Sequence, residues 1–201
     1  MKRTLFVNLY GAPGSGKSTG ASYIFSNMKM SGVDCEYVQE FAKDMVWEEN
    51  KFMFQDPDHQ LIIFANQFHR MSRLNGKVDL VVTDSPLPLS VIYSKNALYL
   101  GEDFRTMVLR LNEKFRSLNF LLERTKPYNP NGRNQTEKES DEIQKELEKN
   151  LEDWDKNFIR TSGDRTGYNL IISYIQRAIF SLKNGQTISS AYPIPSFKGR
   201  S

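Results

Sequence analysis

Apolar residues fall along this chain in short runs, separated by stretches in which they recur every three or four positions. The runs predict strands and the recurrences predict helices. Leu5-Phe6-Val7-Asn8-Leu9-Tyr10 is apolar, partly β-branched and bounded by Gly11, the form of a parallel strand buried on both faces. Residues 17–30 have helical spacing and stop at Ser31-Gly32. Cys35-Glu36-Tyr37-Val38 predicts a second strand ending near Gln39-Glu40, and residues 41–50 predict a short helix carrying Phe41, Met45 and Trp47. Asp56-Pro57-Asp58 starts a longer helix through Leu61, Phe64, Phe68 and Met71 that Asn75-Gly76 ends. The run from Val78 to Asp84 is a third strand, broken by Ser85-Pro86. Helices are then expected over 87–100 and 102–117, a fourth strand over 119–124, a charged helix over 136–155, a fifth strand over 157–162 and a last helix over 169–183.

Short strands alternating with helices predict an α/β fold, a five-stranded parallel sheet with helices on both faces, as one domain over residues 1–183. Between the fourth and fifth strands lies a polar stretch rich in Pro, Asn and Gly, followed by the charged helix. In that helix Thr136 and Glu139 form a capping-box pair, and Ile143, Leu147 and Leu151 make a narrow apolar stripe. Glu137, Glu139, Asp141, Glu142, Glu146, Glu148 and Glu152 stand against Lys138, Lys145 and Lys149. Little core and many exposed charges predict a lid over about residues 125–155. The segment 184–201, with Pro193, Pro195, Gly199 and many serines, predicts an irregular tail.

Composition narrows the class without deciding it. With 39% hydrophobic and 25% charged residues, the 201-residue chain has an ordinary globular balance and enough length for a core. The net charge of +3 is too small to require a nucleic acid or a membrane. It is unevenly spread: no acid follows Asp164, while Arg165, Arg177, Lys183, Lys198 and Arg200 are basic, which suits either phosphate contact or a solvated face. The lone Cys35 excludes an internal disulfide and zinc-finger spacing, and its place in a strand predicts a buried thiol in a reducing compartment. No run approaches the roughly 18 apolar residues of a membrane helix, and the apolar start runs straight into a glycine-rich loop, so no membrane span or signal peptide is expected.

That loop carries the chemistry. Gly11-Ala12-Pro13-Gly14-Ser15-Gly16-Lys17-Ser18 matches G-x-x-x-x-G-K-[ST] and sits between a predicted strand and a predicted helix. Its glycines let backbone N–H groups converge on phosphate oxygens at a helix N-terminus. Lys17 reaches the β- and γ-phosphates, Ser18 supplies a hydroxyl to Mg²⁺, and Thr19 completes the nucleotide-contacting run. Asp84 ends a hydrophobic strand, the position of a Walker B acid holding Mg²⁺, or of a cap for the next helix. Glu40 ends the second strand, where a carboxylate can take a proton from an attacking hydroxyl. Asp44 is one helical turn further on. Arg124 at the base of the lid and Arg133 on its loop can neutralise charge on the transferring phosphoryl group. Gln67 and Arg70, one turn apart, and the aromatic Phe41 are candidate acceptor contacts, an amide for a base edge and a ring for stacking. No metal site other than that for Mg²⁺ is read from the sequence.

The order of these elements resembles the P-loop nucleoside and nucleotide kinases, over about residues 3–183. Val38-Gln39-Glu40-Phe41-Ala42-Lys43 is similar to the V-x-E-[FY]-A-R signature of nicotinamide-riboside kinase domains and their phage-encoded, AAA-type ATPase-like relatives. The stretch from Tyr128 to Thr136 resembles the lid of small phage P-loop kinases, which include enzymes that phosphorylate hydroxymethyl-uracil in viral DNA. Asp84-Ser85-Pro86 departs from the Asp-Arg of thymidylate kinases and the Glu-Arg-Ser of deoxynucleoside kinases, which transfers that arginine's role to the lid. The resemblance implies a sheet order of 2-3-1-4-5, adenine near Gly163-Asp164-Arg165, and ATP with Mg²⁺ as cofactors. It also implies γ-phosphate transfer to a nucleoside- or nucleotide-like hydroxyl, in the cytoplasm, of a virus-infected bacterial host for the phage branch. A modified base in DNA as acceptor, an ATPase or switch with no small acceptor, and a homodimer stay open.

Overall fold

The computed structural model describes residues 2–129, 136–154 and 157–184. Five parallel strands, β1 (Leu5–Tyr10), β2 (Cys35–Val38), β3 (Leu80–Thr83), β4 (Arg116–Glu123) and β5 (Ile159–Ser162), form one sheet in the order β2-β3-β1-β4-β5. The helices are α1 (Lys17–Met30), α2 (Phe41–Trp47), α3 (Phe52–Gln55), α4 (Gln60–Ser72), α5 (Leu89–Tyr93), α6 (Gly101–Asn112), α7 (Glu137–Asp153) and α8 (Arg165–Lys183). A 3₁₀ turn at Pro57–His59 leads into α4. The fold class agrees with the reading of the sequence, and the order of strands with what the kinase resemblance implies.

Alternation along β1 divides the core. Leu5, Val7 and Leu9 pack with α1 and α8, against Ala21, Ile24, Ile171 and Ile175. Phe6 faces the other way, towards Phe64, Phe104 and Phe115, and Tyr10 joins Leu89, Ile92, Leu147 and Leu151. A central strand buried on both faces must be apolar almost throughout, and each large side chain so buried contributes about 2 kcal/mol. Cys35 lies in the first of these clusters, and burial pushes its thiol up to about 12, so it is a core residue.

Four boundaries differ from the periodicity. Residues 87–100 hold only the short α5: Pro86 and Pro88 delay its start, and the Asp58 carboxylate accepts from the N–H groups of Leu98 and Tyr99 at 3.1 and 3.0 Å, holding that segment as a loop. β4 begins at Arg116 because Arg116 and Ser117 pair with Leu5 and Phe6, a long-range pairing that overrides local helical spacing. α8 begins at Arg165 because Asp164 caps it, accepting from Thr166 N–H and Gly167 N–H at 3.0 and 3.1 Å. α3 follows a tight turn at Glu49, whose φ is 53°, and no periodic pattern announced it.

The capping box of α7 is formed as expected: Thr136 N–H donates to Glu139 at 2.7 Å, and Glu139 N–H to the Thr136 hydroxyl at 3.3 Å. The rest of the helix is more deeply set than its charge suggests. Ser140, Leu147 and Leu151 are buried, and Ile143 is half-buried against α5 and β4.

Candidate active site

The phosphate loop leaves β1 at Gly11 and enters α1 at Lys17. Three of its residues need a positive φ, with Gly11 at 147°, Gly14 at 87° and Gly16 at 91°, which glycine adopts without steric cost. Neighbours on three sides fix the resulting curve. The Tyr168 hydroxyl lies 2.9 Å from the Gly16 carbonyl oxygen and 2.8 Å from that of Gly163. Gly163 lies directly beneath, so a Cβ there would overlap the Ser15 carbonyl. From above, α7 reaches down: the Ser140 hydroxyl donates to the Pro13 carbonyl at 2.7 Å, and Ala12 N–H donates to Gln144 at 2.8 Å.

Lys17 folds over this loop, its ammonium donating to the carbonyls of Gly11 and Ala12 at 2.6 and 3.1 Å. Arg124, at the end of β4, covers the loop at Gly14. A Cβ on Gly14 would come within 3.8 Å of its side chain and 3.1 Å of the Tyr128 ring, over which the guanidinium sits at 5.5 Å. Arg124 pairs with Asp141 at 2.6 Å and Glu137 at 3.3 Å, yet its Nη1 is buried without a partner, as is the Ser15 hydroxyl. A concave backbone nest, two cations and orphaned buried polar atoms fit a polyphosphate. Arg133 lies outside the described residues.

From the loop a cleft of about 440 Å³ runs between α2, α3, α4 and α5. Gly14, Gly16, Lys17, Ser18 and Thr19 line one end; Ala42, Trp47, Met53, Phe54, Gln60 and Asn96 line the other, with Glu40 and Tyr93 also on its wall. Burial holds the Glu40 carboxyl above the ordinary carboxylate range, Lys17 acting against this and Asp84 adding to it. Tyr93 is held neutral by burial and by the nearby Glu40 charge.

Asp84 is buried, 2% exposed, and its carboxylate ties two strands together. It accepts from the Tyr37 hydroxyl at 2.8 Å and from Glu40 N–H at 3.1 Å, so it fixes the end of β2 from the end of β3. The three acceptor candidates go to different places. Gln67 reaches the cleft wall but spends its carbonyl on Phe41 N–H at 3.1 Å. Arg70 turns away, donating to Asp44 at 2.7 Å and covering the Phe41 ring at 5.0 Å. Neither Phe41 nor Arg70 lines the cleft; the aromatic rings that do are Trp47, Phe54 and Tyr93. Sequence reading missed Tyr37, Ser140, Gln144 and Tyr168 because each acts across the fold, with no local spacing to mark it. It read Trp47 as an apolar helix position and Asp56 only as a helix start, and both line the cleft.

Comparison with known proteins places this geometry in a family. Residues 6–166 match the model of a family described as AAA domain. No curated protein sequence matches the chain. Among solved structures, the thymidylate kinase from Ehrlichia chaffeensis superposes with a TM-score of 0.59 at 14% identity, over 86% of this chain and 98% of that one. The NadR protein in complex with NR superposes with a TM-score of 0.62 at 20% identity, over 92% of this chain but 53% of that one, so the chain spans about half of NadR's length. A phosphate loop between β1 and α1, a sheet ordered β2-β3-β1-β4-β5 and a match over residues 6–166 converge: the chain belongs to the AAA-domain family and has the fold of the P-loop nucleotide kinases.

Proposed function

We propose that the protein is an ATP-dependent phosphotransferase that moves the γ-phosphate to a hydroxyl of a nucleoside- or nucleotide-like acceptor. The observation that carries the reading is Glu40: a carboxyl of raised proton affinity on the wall of one cleft, between the phosphate loop and an aromatic-lined chamber. Lys17, the loop N–H groups and Arg124 bind the triphosphate, with Arg133 as a further cation from the segment that follows. Ser18 would supply a hydroxyl oxygen to Mg²⁺ and Asp84 would hold the ion from the end of β3, and the ion would supply charge neutralisation at the phosphates. Glu40 accepts the proton of the attacking hydroxyl, and its raised affinity strengthens it as a base. Trp47 and Phe54 cover the flat ring of the acceptor, in place of Phe41. The segment after β4 acts as the lid, bringing its arginines onto the phosphates and excluding water. Glu40→Gln tests this directly. ATP affinity stays at the wild-type level by calorimetry while phosphoryl transfer falls about a hundredfold or more; equal loss of both sinks the reading.

One observation favours a second acceptor class. Trp47, on the cleft wall, is 68% exposed, and Phe52 and Tyr99, which do not line the cleft, are 59% and 85% exposed. The Phe52 ring lies 4.2 Å from that of His59, beside the loop that Asp58 holds at Leu98 and Tyr99. Exposed rings on the segments that flank the cleft suit a base presented by a polynucleotide, on which side chains stack. Competition between free hydroxymethyl-deoxyuridine and a single-stranded oligonucleotide carrying the same base separates the two. Preference for the oligonucleotide that Trp47→Ala and Tyr99→Ala abolish supports the polymer acceptor.

A further inference from the structure

The chain turns from β2 into α2 at Glu40 and Phe41. The first N–H groups of a helix commonly find the side chain of its own N-cap residue. Glu40 is the N-cap of α2, and its side chain makes no such bond. Two side chains from other elements take its place. Glu40 N–H donates to Asp84 and Phe41 N–H donates to the Gln67 carbonyl oxygen, both at 3.1 Å. Gln67 is itself fixed. It is 2% exposed on the inner face of α4, and its amide nitrogen lies 3.4 Å from the Thr83 hydroxyl oxygen, which also accepts from Ser85 N–H at 3.1 Å.

We propose that Gln67 is a positioning residue for Glu40: by capping Phe41 N–H from α4, it fixes the base-bearing turn and leaves the Glu40 carboxylate free to face the cleft. The proposal rests on the reading of Glu40 as the base. It gives Gln67 a task different from pairing with the acceptor, since its carbonyl oxygen is already taken. Asp84 and Gln67, from β3 and α4, hold two successive N–H groups, so the direction of the Glu40 side chain is set by the sheet and a packed helix. Precision here matters to rate, because displacing a reacting group by about 1 Å costs about a hundredfold.

Two substitutions of similar volume test this. Gln67→Met removes the acceptor oxygen; Gln67→Glu keeps one. The readouts are hydrogen exchange at the Phe41 amide, ATP affinity with Mg²⁺, and kcat and KM for ATP in phosphate release with water as the acceptor. In Gln67→Met the Phe41 amide exchanges about tenfold faster, as loss of one hydrogen bond requires. Its kcat falls about ten- to a hundredfold while KM and Kd for ATP stay within about twofold. In Gln67→Glu the Phe41 amide keeps its protection. Wild-type exchange at Phe41 in Gln67→Met, or faster exchange with unchanged kcat, overturns the proposal. So does a loss of ATP affinity that matches the loss of kcat, which marks general loosening. The base assignment fails separately: Glu40→Gln with wild-type kcat removes it, whereas the Phe41 amide still reports whether Gln67 holds the turn.

Discussion

Glu40 carries a cost that its neighbours make visible. Burial and the Asp84 charge raise its proton affinity, and Lys17 only partly opposes them. The folded chain therefore binds this proton more tightly than the unfolded chain does. Stability falls as pH rises from the ordinary value of 4.5 through the raised one, and the deficit persists above it. Glu40→Gln removes the charge that burial penalises. The variant is expected to melt higher than wild type at neutral pH, the gap closing below about pH 4, where both carboxyl states are protonated. A wild-type melting curve that already exceeds the variant's at neutral pH contradicts this assignment. At the same scale, the phosphate loop, Glu40, Asp84 and Arg124 were legible in the sequence because their type and place at strand ends carry meaning locally. Phe41 and Arg70, read as acceptor contacts, do not line the cleft, because periodicity gives the face of a helix but not which neighbour that face meets. Their pairing with each other and with Asp44 turns them out of the cleft.

The turn joining β5 to α8 is the element that supports the phosphate loop from below. Gly163 N–H donates to the Glu123 carbonyl at 2.8 Å, and its Cα packs against the Ser15 carbonyl. A methyl group has no room there, and the atoms it meets are backbone, which cannot swing aside. Gly163→Ala is expected to destabilise by about 1–3 kcal/mol in urea unfolding, as overpacking does. It should also weaken ATP binding by more than that loss alone would, because the displaced atoms belong to the nest itself. Full ATP affinity in a destabilised variant contradicts the idea that Gly163 shapes the loop. The kinase resemblance implied an adenine near this turn; the structure places it against the backbone of the phosphate loop. Nothing in the sequence could have revealed that, since the contact spans the sheet from β1 to β5.

For the whole molecule, the parallel α/β class was readable from the alternation of short apolar runs and helical repeats, and the strand order only through the kinase resemblance. The depth of α7 was not. Its acids suggested an outlying lid, yet Leu147 and Leu151 are completely buried with Tyr10 and Leu121, and Ser140 and Gln144 grip the phosphate loop. α7 is thereby part of the same core as the sheet. Leu147→Ala is expected to cost about 3 kcal/mol and to lower the melting of the entire chain in one transition. A separate early transition confined to α7 contradicts this.

In the proposed reaction, one cleft joins a triphosphate to an acceptor hydroxyl through Lys17 and Glu40. The direct measurement is transfer of label from γ-³²P ATP, with Mg²⁺, to nucleosides, nucleotides and hydroxymethyl-uracil oligonucleotides, in wild type, Lys17→Ala and Glu40→Gln. Labelled acceptor is expected with wild type, and a drop of about a hundredfold or more in both variants. Label released only as inorganic phosphate, at a rate no acceptor alters, or labelled acceptor formed equally by all three proteins, contradicts it.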